Sequence, residues 1–296
     1  MTIDTSDWID RYPDDTLDRL RALFEPPVPE NGRWHLLLDM GFAPALRERL
    51  PVAGRNDRVV ALYEGVYDGA DLMSISPCVV PLPVDEKART AMFEIVLRET
   101  AGRPMVSLLS GTRDTDALVA HLRGQLEASA AADGEAFLVR LADTRCLPAW
   151  LAALTPAQRR RFTDGIAAWH VFDRTGKCMA LDLDLDLDLD LDLDVADGAP
   201  ARDADAGRSG EPYVLDEHQV ERLRQAAKID TLIFHVRQRP ESFGRLVGTP
   251  SQAHACVSAA WARHDGPPAA ASRAALDALE ASGLLVTASL PAASSA

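Results

Sequence analysis

The stretch AAWHVFDRTGKCMALDL, residues 167–183, holds two apolar runs separated by the tetrapeptide Asp173–Gly176. That punctuation reads as a β-hairpin. Its second strand runs directly into seven uninterrupted Leu-Asp pairs, Leu181 to Asp194. On a strand, alternation at period two puts every Leu on one face and every Asp on the other. Carried to its end, that strand would be about 46 Å long at about 3.3 Å per residue, where about five or six residues is usual. Neighbouring carboxylates, about 6.7 Å apart on that geometry, repel by roughly 0.6 kcal/mol in water. A helix fares no better, because period two smears both residue types around it. The Asp-x-Asp-x-Asp pattern also resembles the start of a calcium loop. Counted from Asp190, however, the required Gly and Glu positions hold Val195 and Ala201, so the pattern fails where it is most specific. A two-residue unit is six nucleotides, so copy number can change without loss of frame, and a tolerant linker is where such an expansion survives.

The linker follows at once. Residues 195–212, VADGAPARDADAGRSGEP, have no hydrophobic periodicity. Upstream, RWHLLLDM, RVVALYEG, CVVPLPV, PMVSLLSG and EAFLVRLAD read as short strands, the prolines of the third pushing it towards a sheet edge. Helical spacing covers 14–25, 85–101 and 114–129, and TPAQRRRF opens with a capping box of Thr155 and Gln158. Downstream, residues 215–238, 251–266 and 270–283 are all helical patterns. The expected fold class is therefore mixed α/β: an N-terminal α/β lobe with a central mixed sheet over 1–180, an acidic linker over 181–211, and a small all-helical lobe over 212–290.

The net charge is −14, and the seven Asp of the run supply half of it. A mildly acidic remainder does not suit phosphate binding, which excludes nucleic acid as a partner. The N-terminus lacks a basic start and an apolar core, so no signal peptide is expected. No stretch reaches the roughly 20 apolar residues of a membrane helix. Cys78, Cys146, Cys178 and Cys256 are scattered, without a C-x-x-C pair; they read as reduced thiols of a cytoplasmic protein rather than metal ligands.

Few residues suggest chemistry. Ser110 lacks the G-x-S-x-G context of a nucleophile. His121 lies at the margin of an apolar helical stripe, where a structural role outweighs that of a general base. Arg140, Asp143 and Arg145 alternate in charge at the end of a strand, a pattern that more often fixes a loop than builds an active site. Phosphate loops, zinc-protease motifs and nucleotide fingerprints are absent, so neither a catalytic residue nor a cofactor is expected. The alternatives are a hydrolase using Asp143 or His121, and an acidic calcium-responsive binding protein using the run.

Taken in order, WHLLLD, ALYEG, SPCVVPLP, PMVSLLSG, ALVAHLRGQLEA, DGEAFLVRLADTRCLPAWLAALTPAQRRRF and AAW resemble the adaptor or effector-chaperone domain of bacterial type VI secretion systems. That domain was long described only as one of unknown function. The resemblance covers roughly residues 34 to 170, more loosely the later helices, and rests on the order and spacing of Ser110, His121, Arg140, Asp143, Arg145 and Trp169. The family's run around the Asp usually carries aromatics and a Pro, where this chain has Leu141, Ala142 and Thr144. The resemblance implies a non-enzymatic adaptor in the cytoplasm of a Gram-negative bacterium. It would hold the N-terminal segment of a toxic effector and help dock it on the VgrG spike, with no membrane partner. Binding of that kind needs an apolar groove. In the helical lobe, Leu232, Phe234, Val236, Phe243 and Leu246 are the candidate anchors, with membership of that lobe's core as their alternative role.

The reading of the run as a tolerated expansion has a direct test. Deleting Leu183 to Asp194 should leave thermal unfolding nearly unchanged; a midpoint lowered by more than about 8 °C would mean that the run is packed.

Overall fold

The structure, a computed structural model, describes residues 7–25, 32–50, 58–183, 212–264 and 266–286. The N-terminal lobe contains, in chain order, α1 (Thr16–Ala22), β1 (Arg33–Leu38), β2 (Val60–Ala61), α2 (Ala70–Ser74), β3 (Cys78–Pro81), α3 (Glu86–Thr100), β4 (Val106–Gly111), α4 (Thr115–Arg123), β5 (Glu127–Ala130), β6 (Ala136–Leu138), α5 (Leu147–Ala153), α6 (Pro156–Thr163), β7 (Ile166–Phe172) and β8 (Cys178–Ala180). After the linker come β9 (Tyr213–Leu215), α7 (Glu217–Gln238), α8 (Pro240–Phe243), β10 (Arg245–Leu246), α9 (Pro250–Ala262), α10 (Pro268–Ala281) and β11 (Leu285–Val286). The fold is mixed α/β.

Six strands form one sheet in the order β2-β3-β1-β4-β7-β8, and every pairing in it is antiparallel. The apolar runs at its centre are continuous rather than alternating because both faces are buried. Along β1, Leu36 and Leu38 enter one core with Met92, Phe93 and Val96 of α3. Leu37 enters the opposite core with Leu118 and Leu122 of α4, Trp150 of α5 and Phe162 of α6. Each such fully buried side chain contributes roughly 1.5–3 kcal/mol of transfer free energy. The prolines of CVVPLPV do not put β3 at the edge. It lies between β1 and β2, and the two-residue β2 covers only Cys78 and Val79, so Pro81 falls beyond that pairing.

Helix starts follow the sequence closely. Asp114 caps α4 by accepting from the Ala117 N–H at 2.8 Å. Thr155 and Gln158 form the expected capping box on α6, and Asp216 and Gln219 form another on α7. The hairpin is present as β7 and β8. The helical lobe also holds one small β element, the pairing of β10 with β11.

The chain returns to the N-terminal lobe after the linker. β9 pairs in parallel with β5 in a second sheet of order β6-β5-β9, and Tyr213 and Leu215 are buried in the lobe's core. α7, about 33 Å long at 1.5 Å per residue, starts on that lobe. There the Gln219 amide donates to the Ala153 carbonyl and to Gln158 Oε1, both at 2.7 Å. It ends in the helical lobe, where Ile233 and Val236 join Val257, Ala275 and Leu279 in a separate core.

The Leu-Asp run beyond Leu183 lies outside the described residues, as does the linker up to residue 211. Its first part is packed. Leu181 donates its N–H to the Trp169 carbonyl at 2.7 Å, and the side chains of Leu181 and Leu183 lie against the core around Trp169. A deletion that begins at Leu183 would therefore remove a core contact. The double substitution Leu181→Asp with Leu183→Asp should lower the thermal midpoint by several degrees, corresponding to about 1.5–3 kcal/mol lost as two half-buried apolar contacts are replaced by charges. Calorimetry of the full chain measures it.

Candidate functional site: a groove between the two lobes

A groove of about 560 Å³ opens where α5, β6 and the β7–β8 hairpin face the middle of α7. Its wall is apolar: Leu138, Trp150, Met179, Leu181, Leu223 and Ile229 contribute to it. Leu138 and Met179 are 45% and 47% exposed, well above what a core position allows. Arg140, Arg145, Arg174 and Asp230 add charge to the lining, and His254 joins them with burial pushing its pKa down to about 4. Arg174, in the turn of the hairpin, makes a two-pronged ion pair with Asp230 of α7, both bonds 2.9 Å long. Such bidentate pairing fixes orientation as well as distance, so it ties the hairpin to the helix across the groove.

Asp143 anchors the charged part of the lining. Its carboxylate is fully buried, accepts three hydrogen bonds and makes one further ion pair. Oδ1 takes the backbone N–H and Nε–H of Arg145 at 3.0 and 3.1 Å. Oδ2 takes Nη2 of Arg145 at 2.8 Å and pairs with Arg140 at 3.1 Å. Arg140 also reaches Asp39 Oδ2 at 3.3 Å, and Asp39 accepts from the Gly41 N–H at 3.0 Å. The two carboxylates respond in opposite directions. Burial alone would raise Asp143, but the hydrogen bonds and charges of Arg145 and Arg140 outweigh it and hold the carboxyl below its usual range. Burial also raises Asp39, and there the shared Arg140 offsets it only in part while Asp143 adds repulsion.

The remaining residues singled out in the sequence are dispersed. Ser110 sits on β4 opposite Trp34 and Ala168. Trp169 is fully buried and stacked on Phe162 with ring centres 5.7 Å apart. His121 donates from Nε2 to the Phe162 carbonyl at 3.0 Å, and burial lowers its pKa. Among the described residues, His121 and Asp143 share no hydrogen-bond or ion-pair partner. Among the described residues, no group of three or more His, Cys, Asp and Glu side chains is placed to hold a metal ion.

The five helical-lobe candidates do not form one surface. Val236 is fully buried, and Leu232, Phe243 and Leu246 pack against the lobe's own core. Phe234 is 42% exposed and stacks on Trp8, ring centres 6.1 Å apart. Sequence reasoning missed Leu138 and Met179. The available signal was the period-two spacing of Met179, Leu181 and Leu183, which sets three apolar side chains on one face just where the Leu-Asp run begins.

Asp143→Asn should cost about 3–5 kcal/mol, the usual penalty for breaking a buried ion pair, here that with the buried Arg145 guanidinium, read as a lower urea midpoint. The pH dependence follows the shifts. The lowered Asp143 contributes stability that is present above its unfolded pKa and lost as pH falls through its folded value. The raised Asp39 acts oppositely, its contribution being present below its unfolded pKa and lost as pH rises through its folded value. Comparing wild type with Asp143→Asn between about pH 5 and pH 2 should therefore show the difference between them shrinking as pH falls.

A family model described as a domain of unknown function (DUF4123) matches residues 34–161, from β1 into α6. Neither a search of curated proteins nor one of solved structures gives a match to the chain. The matched stretch includes β6, α5 and the Arg140–Asp143–Arg145 network, while the β7–β8 hairpin and α7, the rest of the groove, lie beyond it.

Proposed function

We propose that the protein is a non-enzymatic adaptor of type VI secretion that holds an apolar segment from the N-terminal region of a toxic effector in the groove between its lobes. It acts in the cytoplasm of a Gram-negative bacterium and presents the effector to the VgrG spike. The observation that carries this reading is the groove itself: an apolar wall with half-exposed Leu138 and Met179, and paired charges among its lining. The DUF4123 match supports it, since that family is associated with type VI secretion effector adaptors. Exposed apolar side chains in a concave, charge-rimmed site are the arrangement that an apolar partner segment requires. The helical lobe contributes its wall through α7, and Phe234 is the one exposed residue of the five sequence candidates.

The test is capture of the N-terminal segment of the effector encoded beside this protein. Leu138→Asp and Met179→Asp alter exposed positions, so circular dichroism should stay unchanged while capture falls at least tenfold, the loss expected of a well-placed anchor, about 1.4 kcal/mol or more. Undiminished capture by the double variant would sink the groove as the binding site. Loss of capture only in Phe234→Asp would move the anchor to the helical lobe.

A further inference from the structure

The segment Asp7–Tyr12 reaches both lobes. Its backbone lies on the N-terminal lobe: the N–H groups of Trp8 and Ile9 donate to the Gly102 carbonyl at 2.7 and 3.1 Å, and that of Asp10 to the Arg174 carbonyl at 2.9 Å. Two glycines permit the approach. Gly102 and Gly176 have φ of +78° and +73°, and a Cβ on Gly102 would collide with the Asp7 carboxylate, one on Gly176 with the Asp10 carbonyl oxygen 2.6 Å away. Ile9 is fully buried in that lobe, and the Tyr12 hydroxyl binds Thr100.

The same six residues grip the helical lobe by different means. The Asp10 carboxylate accepts from the backbone N–H and hydroxyl of Ser251, in the first turn of α9, at 2.9 and 2.6 Å, where a negative charge complements the helix dipole. Arg237 of α7 donates to the Asp7 carbonyl. The Trp8 ring stacks on Phe234 and has the Arg237 guanidinium over it at 5.0 Å, while Arg145 of the N-terminal lobe lies over it at 4.4 Å. The two attachments thus differ in kind. The N-terminal-lobe side is buried apolar packing and backbone bonding, whereas the helical-lobe side is polar, with half-exposed aromatic stacking.

α7 is consequently held at both ends over the groove, by Gln219 and Leu223 at its start and by Asp230, Phe234 and Arg237 further on. We propose that Asp7–Tyr12 is a clasp, anchored permanently on the N-terminal lobe, whose release from α7 and α9, with parting of the partly exposed Arg174–Asp230 pair, swings the helical lobe away and widens the groove for its occupant. The identity of that occupant rests on the adaptor reading; the opening itself does not. Polar contacts at an accessible seam can break and re-form without exposing a core, which suits the helical-lobe side of the clasp and not its Ile9 anchor.

Hydrogen exchange on the full chain tests this, with Trp8→Ala and, as a milder change that leaves the ring in place, Ser251→Ala. Exchange in residues 229–238 and 250–257 should rise at least tenfold in Trp8→Ala and measurably in Ser251→Ala, while β1 and β4 stay as in the wild type. Binding of the dye 1-anilinonaphthalene-8-sulfonate should increase at least threefold, and Met179→Asp should abolish the increase. Unchanged exchange in both variants, an equal rise in β1 and β4, or opening without added dye binding would each overturn the clasp. Exchange and dye binding that respond as expected, with no change in the rate of effector-segment capture, would uphold the clasp and count against the adaptor reading instead.

Discussion

The centre of the six-stranded sheet is buried on both faces, and the rest of the molecule follows from that constraint. Residues alternate sides along a strand, so Leu36 and Leu38 need one partner layer and Leu37 another. α3 covers the first side and α4, α5 and α6 the second. Once α5 is placed there, Trp150 and the β7–β8 hairpin form one side of a trough, and any element crossing it completes a groove. α7 is that element, because β9 pins its start to the small sheet while Ile233 and Val236 commit its end to a different core.

A groove with exposed apolar walls has to be kept open by something other than apolar contact, which would close it. Charge does so here. The Asp143 carboxylate, satisfied by Arg145 and Arg140, fixes the loop after β6 as a rigid edge. Arg174 and Asp230 hold the hairpin and α7 at a set distance. Paired and hydrogen-bonded charges resist collapse because separating them in a partly dry site leaves each one stranded. The same Arg145 that satisfies Asp143 lies over Trp8, so the buried network and the seam between lobes share one side chain.

Much of this was legible in the chain. The capping box of Thr155 and Gln158 gave the start of α6 because a cap is a local bond between residues three apart. The hairpin around Asp173–Gly176 was visible for the same reason. The structural character of Arg140, Asp143 and Arg145 could be argued from alternating charge, although Asp39, about a hundred residues earlier, could not be named as the fourth member. Candidate anchors in the helical lobe were chosen by apolarity alone, and apolarity does not separate Val236, which is buried, from Phe234, which is half exposed.

The sequence by itself determined the mixed α/β class, most of the elements and several of their caps, since these depend on neighbours along the chain and on period. Only the tertiary structure decided that β3 is interior, that Tyr213 returns to the first lobe, that Leu181 and Leu183 are packed, and that Asp7–Tyr12 joins α7 and α9. Each of these is a meeting of residues far apart in sequence. Such contacts are selected by shape and by the free energy of burial in three dimensions, and no local pattern encodes which distant partner satisfies them.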